Sequence, residues 1–249
     1  MLFGSAVHSA AEKYLHLSAL GRNVDLGDSW RKKFWGHLSK LERSSGIDWR
    51  GHTREAVYAD GVRLLVSPEE IEVESQASGD AAERASHPSM AHYLDSIEVA
   101  VADGKPAIER RVSMRVPGVD VPVVGFIDWL GRDGIPADLK TASSPWTIQQ
   151  AELELQPTFY LAALQQLGYD ANPDGAFRHY VLHPRGDPNV QVFETRRNGA
   201  DIEWLCDLIR QVWECISAGR FHPNPTYRWC QPKTCEYWDI CRGKGGPDA

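Results

Sequence analysis

The sequence predicts an α/β domain: a mixed central β-sheet flanked by helices, with a helical insertion and a cysteine-containing C-terminal tail. Three observations predict it. Strand-period segments at 107–116, 121–130 and 135–141 follow one another closely enough for a meander. A helix-period segment at 147–168 comes next. Two more strand-period segments, 176–183 and 190–196, flank the turn sequence HPRGDPN and form a hairpin.

Residues 1–20 predict a helix, with Val7, Ala11, Leu15 and Leu20 as its apolar stripe. Segments 28–44, 50–66 and 89–102 also predict helices, and 73–88, with Ser75, Gly79, Asp80 and Pro88, predicts a loop. The region 21–105 is thus a helical insertion or subdomain. In the first strand segment Pro117-Gly118 is the break, and Gly131 to Gly134 turn the chain between the second and third. The 147–168 helix carries Ile148, Ala151, Leu155, Phe159, Ala162 and Ala163 on one side and stops at Gly168. A last helix, 200–218, stops at Gly219. The core is therefore assigned to 1–20 and 106–220, and the tail to 221–249.

The 249 residues are 42% hydrophobic and 24% charged, which excludes a disordered or collagen-like chain. Twenty-seven basic against 34 acidic residues give a net charge of −7, and the pI is about 5.7. Taken alone, that sign argues against broad electrostatic adhesion to nucleic acid or to an anionic membrane. No apolar run approaches a membrane span, and the N-terminus does not read as a signal peptide. The expectation is a cytoplasmic protein with reduced thiols and no membrane partner.

Chemistry gathers around the strand segments. Asp138 and Lys140 are two apart and share a strand face, while Ile135, Ala137 and Leu139 alternate to the other. Asp128, ten residues before Asp138, ends the preceding strand and can lie beside it. Two adjacent carboxylates repel unless a cation separates them, and hard divalent ions such as Mg²⁺ or Mn²⁺ suit that oxygen environment. A lysine beside such an ion orients a water and stabilises charge on phosphorus. The alternative is a plain Asp138–Lys140 ion pair on a solvated strand. Glu109 is either a surface partner of Arg110 and Arg111 or a further metal or water ligand. His8, Glu12 and His16 share one helix face; His8 is the candidate nitrogen ligand and His16 a surface residue. Gly4, one turn earlier, permits close backbone packing. Gln156 and Tyr160, four apart on the helix after the D-x-K strand, either form an ordinary helix side or aim at phosphate or Lys140.

Together, G-S-A-V-H-S-A-A-E at 4–12, Glu109, G-F-I-D at 125–128, D-L-K-T at 138–141 and Q-P-T-F-Y at 156–160 resemble the RecB/AddB-type branch of the PD-(D/E)XK nuclease superfamily. The motifs occur in the family's order and cover most of the chain outside 21–105. The resemblance implies a restriction-endonuclease-like core and a divalent-metal-dependent deoxyribonuclease, specifically an exonuclease of recombination, repair or phage DNA metabolism. It implies that His8, Asp128 and Asp138 bind the catalytic metal, with the Leu139 carbonyl as a further ligand. Lys140 would be the catalytic lysine, with Glu109 a less secure match, and Gln156 and Tyr160 the accessory motif near the DNA. The competing expectation is a catalytically idle nuclease-like DNA-binding or assembly module. DNA ends, single- or double-stranded, are the expected substrate, with a recombination protein or a homo-oligomer as partner. For a phage-encoded chain the compartment is the host cytoplasm.

All five cysteines lie in the last fifth of the chain. Cys230, Cys235 and Cys241, spaced C-x4-C-x5-C, favour a metal site. The resemblance implies a [4Fe–4S] cluster, which in relatives is completed by a cysteine upstream of the Gly-x3-His helix. Here Met1 stands three residues before Gly4 and no cysteine precedes the helix: either the chain start is truncated relative to relatives, or Cys215, Cys206 or His222 supplies the fourth ligand, or the cluster is lost. Zn²⁺ is the alternative metal. Cys206 and Cys215 also read as core positions of the last helix. Basic clusters occur at Arg31-Lys32-Lys33, at Arg110-Arg111 with Arg115, and at Arg196-Arg197. Trp30, Trp35, Trp129, Trp146, Trp229 and Trp238 are stacking or core candidates, with Trp146 the first choice for DNA, while Trp204 and Trp213 read as core.

Overall fold

A five-stranded sheet divides the core into two faces. The computed structural model describes residues 2–44, 49, 51–66, 89–169, 172–184, 189–221, 223, 224, 227 and 230–242. The 73–88 loop, His222 and Trp229 lie outside these residues. The elements run α1 (Leu2–Ala19), α2 (Leu26–Ser44), α3 (Arg54–Leu65), α4 (Met90–Ser96), β1 (Val101–Ala102), β2 (Lys105–Pro106), β3 (Ile108–Met114), β4 (Val123–Leu130), β5 (Pro136–Thr141), α5 (Ile148–Leu153), α6 (Leu155–Gln166), β6 (Ala176–His183), β7 (Asn189–Arg196), α7 (Gly199–Ser217) and α8 (Trp238–Arg242). The sheet order is β3-β4-β5-β6-β7, and only the β5–β6 pair is parallel. That pair is the one joined across helices α5 and α6, as parallel neighbours require. The mixed α/β architecture expected from the sequence is the one observed. Among the described residues no helix is long and apolar enough to cross a membrane.

On one face α1 buries Ala6, Val7, Ala10, Ala11 and Leu15 against Leu139, Tyr180 and Leu182 of the sheet. Helices α2, α3 and α4 join this same core through Trp30, Phe34, Leu64 and Leu94. Trp30 packs where a Cβ on Gly61 would come within 2.0 Å of its ring, and its Nε1 donates to the Tyr58 carbonyl at 3.1 Å. Helices α6 and α7 cover the other face, with Leu161, Ala163 and Leu205 against Val112, Ile127 and Phe177.

Three local expectations are corrected. The helix expected at 147–168 is two helices, broken at Glu154 (ψ 130°). Pro157 lacks the N–H that would bond the Leu153 carbonyl, so it sits in the first turn of α6, where that donor is not needed. The helix expected over 89–102 ends at Ser96, and 101–106 form a hairpin instead. Asp103-Gly104, both with positive φ (55° and 73°), close its two-residue turn. Leu20 is exposed beyond the end of α1.

Candidate active site

The site forms where the sheet splits. The β4–β5 ladder holds Leu130↔Pro136 and Trp129↔Ala137. The next facing positions are Asp128 and Asp138, and there the strands part. The Leu139 amide donates to Asp128 Oδ2 at 2.7 Å in place of a β4 carbonyl. Farther along β4, the Phe126 carbonyl accepts the Tyr160 hydroxyl from α6.

The β3–β4 pair reverses faces at the same level. Ile108 and Trp129 pack into the α1-side core, whereas Val112 and Ile127 belong to the α6-side core. Residues two or four apart share a face in a regular strand, so both strands have rolled over between them. The turning point is Glu109, a non-glycine residue in the left-handed region at φ 47°. That conformation costs about 1–2 kcal/mol for a side chain.

Two glycines let helices close on this split from opposite sides. A Cβ on Gly4 would lie 2.9 Å from Thr141 Oγ1, so α1 approaches β5 closely, as the sequence predicts. One turn later His8 Nδ1 stands 3.5 Å from Asp128 Oδ2. A Cβ on Gly125 would lie 2.5 Å from Phe159 Cε1 and 3.0 Å from Tyr160 Cε1, so α6 comes down onto β4. This seats Gln156 and Tyr160 over Lys140. Lys140 Nζ lies 2.9 Å from Asp138 Oδ2 and 3.1 Å from its Oδ1, and donates to Gln156 Oε1 at 2.7 Å. Gln156 Nε2 in turn donates to the Tyr160 hydroxyl at 2.8 Å. Asp138, Lys140, Gln156, Tyr160 and the Phe126 carbonyl are one continuous polar chain.

Electrostatics reflect crowded acid groups in a dry place. Burial, reinforced by Asp138, pushes Asp128 up to about 8. Burial also raises Asp138, although Lys140 opposes it. Partial burial and the Glu12 and Asp138 carboxylates raise Glu109, which places its charge beside the same cluster. Burial lowers His8, so its ring is neutral near pH 7 and has a lone pair to offer. The buried Asp138 Oδ2 has the Lys140 ammonium at 2.9 Å as its polar neighbour.

Among the described residues no group of three His, Cys, Asp or Glu side chains is placed to hold a metal ion by itself. The donor set at the split nevertheless suits a hard divalent cation: two facing carboxylates that raise each other's proton affinity, a neutral imidazole and the Leu139 backbone.

The other candidates separate. Glu109 takes neither expected arginine: Arg110 lies 3.8 Å from Asp103 and over the Tyr169 ring, and Arg111 has no ion pair among the described residues. Arg31 and Lys32 are held by Asp28, each at 2.6 Å. Arg197 is a brace. Its guanidinium donates to the carbonyls of Ala151, Glu152 and Glu154, which the α5–α6 break leaves free, and to Thr158 Oγ1. Trp30 and Trp129 are core residues. Trp146 is half-buried beside His179, and Gln191 clamps its backbone amide and carbonyl at 2.8 and 3.1 Å. Trp204, expected in the core, is 58% exposed.

The tail thiols belong to no group of three metal-ligating side chains among the described residues. Cys230, Cys235 and Cys241 are free, and each of their amides closes a local turn onto Tyr227, Gln231 or Tyr237. Cys215 is a free, half-buried residue of α7. The described residues do not show the expected iron–sulfur or zinc centre.

His179 is the residue that sequence reasoning missed. It faces Asp138 on β6, is fully buried, and is driven down to about 4 by burial and by the Lys140 and Arg197 charges. No local pattern marks it.

Solved structures to which the chain is similar include two described by name. A candidate exonuclease from Eubacterium rectale is 10% identical, with a TM-score of 0.43 over 93% of this chain and 80% of that one. The protein SSO0001 is 16% identical, with a TM-score of 0.33 over 84% of this chain and 81% of that one. No curated protein matches the sequence. The profile of the PD-(D/E)XK nuclease superfamily matches residues 2–242, nearly the whole chain, and this protein belongs to that superfamily.

Proposed function

We propose that this chain is a Mg²⁺- or Mn²⁺-dependent DNA exonuclease of the superfamily's RecB/AddB-type branch, acting in recombination, repair or phage DNA metabolism. The observation that carries the reading is the split between β4 and β5. It collects His8, Asp128, Asp138, Lys140 and Gln156 from α1, β4, β5 and α6 at one point.

In this reading His8, Asp128, Asp138 and the Leu139 carbonyl hold the metal. When bound, the ion supplies Lewis-acid charge to the phosphodiester and makes water a competent nucleophile near neutral pH. The rest falls to the chain's own groups. Lys140, fixed between Asp138 and Gln156, holds a proton and a positive charge at the place where phosphorus gains negative charge. Gln156 and Tyr160 keep the ammonium from swinging out of the cleft. Glu109 directs a carboxylate at the cluster through its left-handed backbone and accepts a proton from water. Trp146, on its Gln191 clamp, is an accessory DNA contact at the rim.

The test is incubation of the purified protein with Mn²⁺ and end-labelled linear DNA beside a covalently closed circle, wild type against Lys140→Ala. The expected result is release of mononucleotides or short products from linear DNA only, lost in the variant. Equal cleavage by both proteins would remove Lys140 from the chemistry. Nicking of the circle would replace exonuclease with endonuclease. DNA binding with no product in any divalent ion would assign the chain as an idle binding module.

A further inference from the structure

The β3–β4 hairpin extends past the split with one face uncovered. On the covered face Gly125 and Ile127 meet α6. On the other, Val124 and Phe126 are 41% and 51% exposed, an apolar pair standing in solvent on a regular strand. Their cross-strand partners are Ser113 and Arg111. Arg111 and Arg115 are both exposed on β3 and just beyond it, and neither forms an ion pair with a described residue. This contrasts with the neutralised arginines elsewhere: Arg31 on Asp28, Arg110 on Asp103, Arg178 on Asp133 and Glu194, Arg196 on Glu194.

The face leads directly into the candidate site. Phe126 is two residues from Asp128 on β4, and Arg111 is two residues from Glu109 on β3. An exposed aromatic ring beside unpaired guanidinium groups, opening onto a cleavage centre, matches a particular ligand. A base whose face is free can stack on the ring, and its phosphates can meet the arginines. In a duplex the base faces are already stacked on one another, so the ring has nothing to take.

We propose that this outward face, Phe126 with Val124, Arg111 and Arg115, is a track that seats an unpaired DNA strand as it enters the site. The proposal rests on the nuclease reading and gives it a substrate form: single-stranded ends, read without sequence preference. Phe126 is a stacking residue, and the arginines hold phosphate.

The experiment measures fluorescence anisotropy of labelled oligothymidylate and of a labelled blunt duplex in EDTA, across a salt series, with Mn²⁺-dependent cleavage of both followed in parallel. Wild type binds the single strand more tightly than the duplex. Phe126→Ala weakens single-strand binding by about 5- to 150-fold, the range for losing one stacked base, and Phe126→Trp restores it. Arg111→Gln lowers the slope of log affinity against log salt by about 0.7. Phe126 is exposed, so the variants fold, which circular dichroism melts verify. Equal affinity for strand and duplex, or unchanged binding in Phe126→Ala, overturns the track. A wild-type dimer that Phe126→Ala converts to monomer also overturns it and assigns the face to a second copy of the chain. Wild-type strand binding that responds to Phe126→Ala without any cleavage sinks the nuclease reading and leaves the track standing.

Discussion

Asp128→Asn should make the metal-free protein more stable. Asp128 is half-buried and faces Asp138, and its carboxyl keeps its proton up to about pH 8 against an ordinary value of 3.8. The folded state therefore binds more protons than the unfolded chain between those two values. Stability from this group is greatest below 3.8, falls as pH rises, and levels off above 8. At pH 7 the penalty amounts to about 4 kcal/mol. An asparagine never ionises, and its Oδ1 can still accept the Leu139 amide that Asp128 Oδ2 accepts at 2.7 Å. For a chain of this size the gain corresponds to about 10 °C in Tm. The assay is thermal melting in EDTA from pH 5 to 9, repeated with Mn²⁺. The variant should lead by a margin that widens with pH, and Mn²⁺ should stabilise wild type alone. Metal binding by wild type should release about one proton below pH 8, which calorimetry in buffers of different ionisation enthalpy reads directly. A variant no more stable than wild type, or a gap that narrows with rising pH, would show that Asp128 is ionised in the empty fold and that the two carboxylates are not held in repulsion.

Other perturbations test the scaffold around the site. Gln156→Ala removes the 2.7 Å acceptor from Lys140 and should lower kcat about tenfold with KM unchanged; a change confined to KM would make Gln156 a substrate contact instead. Arg197→Ala strips the donor from three carbonyls and should cost about 3 kcal/mol, seen as a lower Tm, with the salt dependence of DNA binding unaltered. An unchanged Tm with a shallower salt slope would return Arg197 to the DNA-contact class. Gly125→Ala forces a methyl to 2.5 Å from the Phe159 ring and should cost about 1–3 kcal/mol, partly recovered by Phe159→Ala on thermal melts.

The parts of the site that were legible in the sequence are those set by local periodicity. Asp138 and Lys140 share a strand face because side chains alternate, and Leu139 between them points into the α1 core. Gly4 is legible as a close-packing position because a glycine lacks the Cβ that would hold α1 away from β5. The features that were not legible depend on distant chain. Glu109 adopts a left-handed backbone although nothing in its neighbourhood resembles a turn, because β3 and β4 must switch cores at that level. Arg197 looks like half of a basic pair, yet a helix break forty residues earlier defines its role. The α5–α6 break and the Asp103-Gly104 turn did carry signals, Pro157 and an Asp-Gly pair, but apolar periodicity running through both outweighed them.

The net charge of −7 takes on a definite meaning once the cations of the expected clusters are placed. Of the expected basic clusters, Arg31 and Lys32 are spent on Asp28, Arg110 on Asp103, Arg196 on Glu194 and Arg197 on carbonyls, while Lys33, on α2 away from the split, forms no ion pair with a described residue. Arg111 and Arg115 remain beside the split. Two phosphate contacts on a single strand predict a salt slope of only about −1.4. Nonspecific grip is therefore weak, and affinity must come from stacking on Phe126 and from the cation between DNA and the carboxylates. Such a protein gains little from lower salt and much from divalent metal, the reverse of a basic DNA-coating protein. A slope steeper than about −4 in EDTA would mean that a second cationic surface carries the binding.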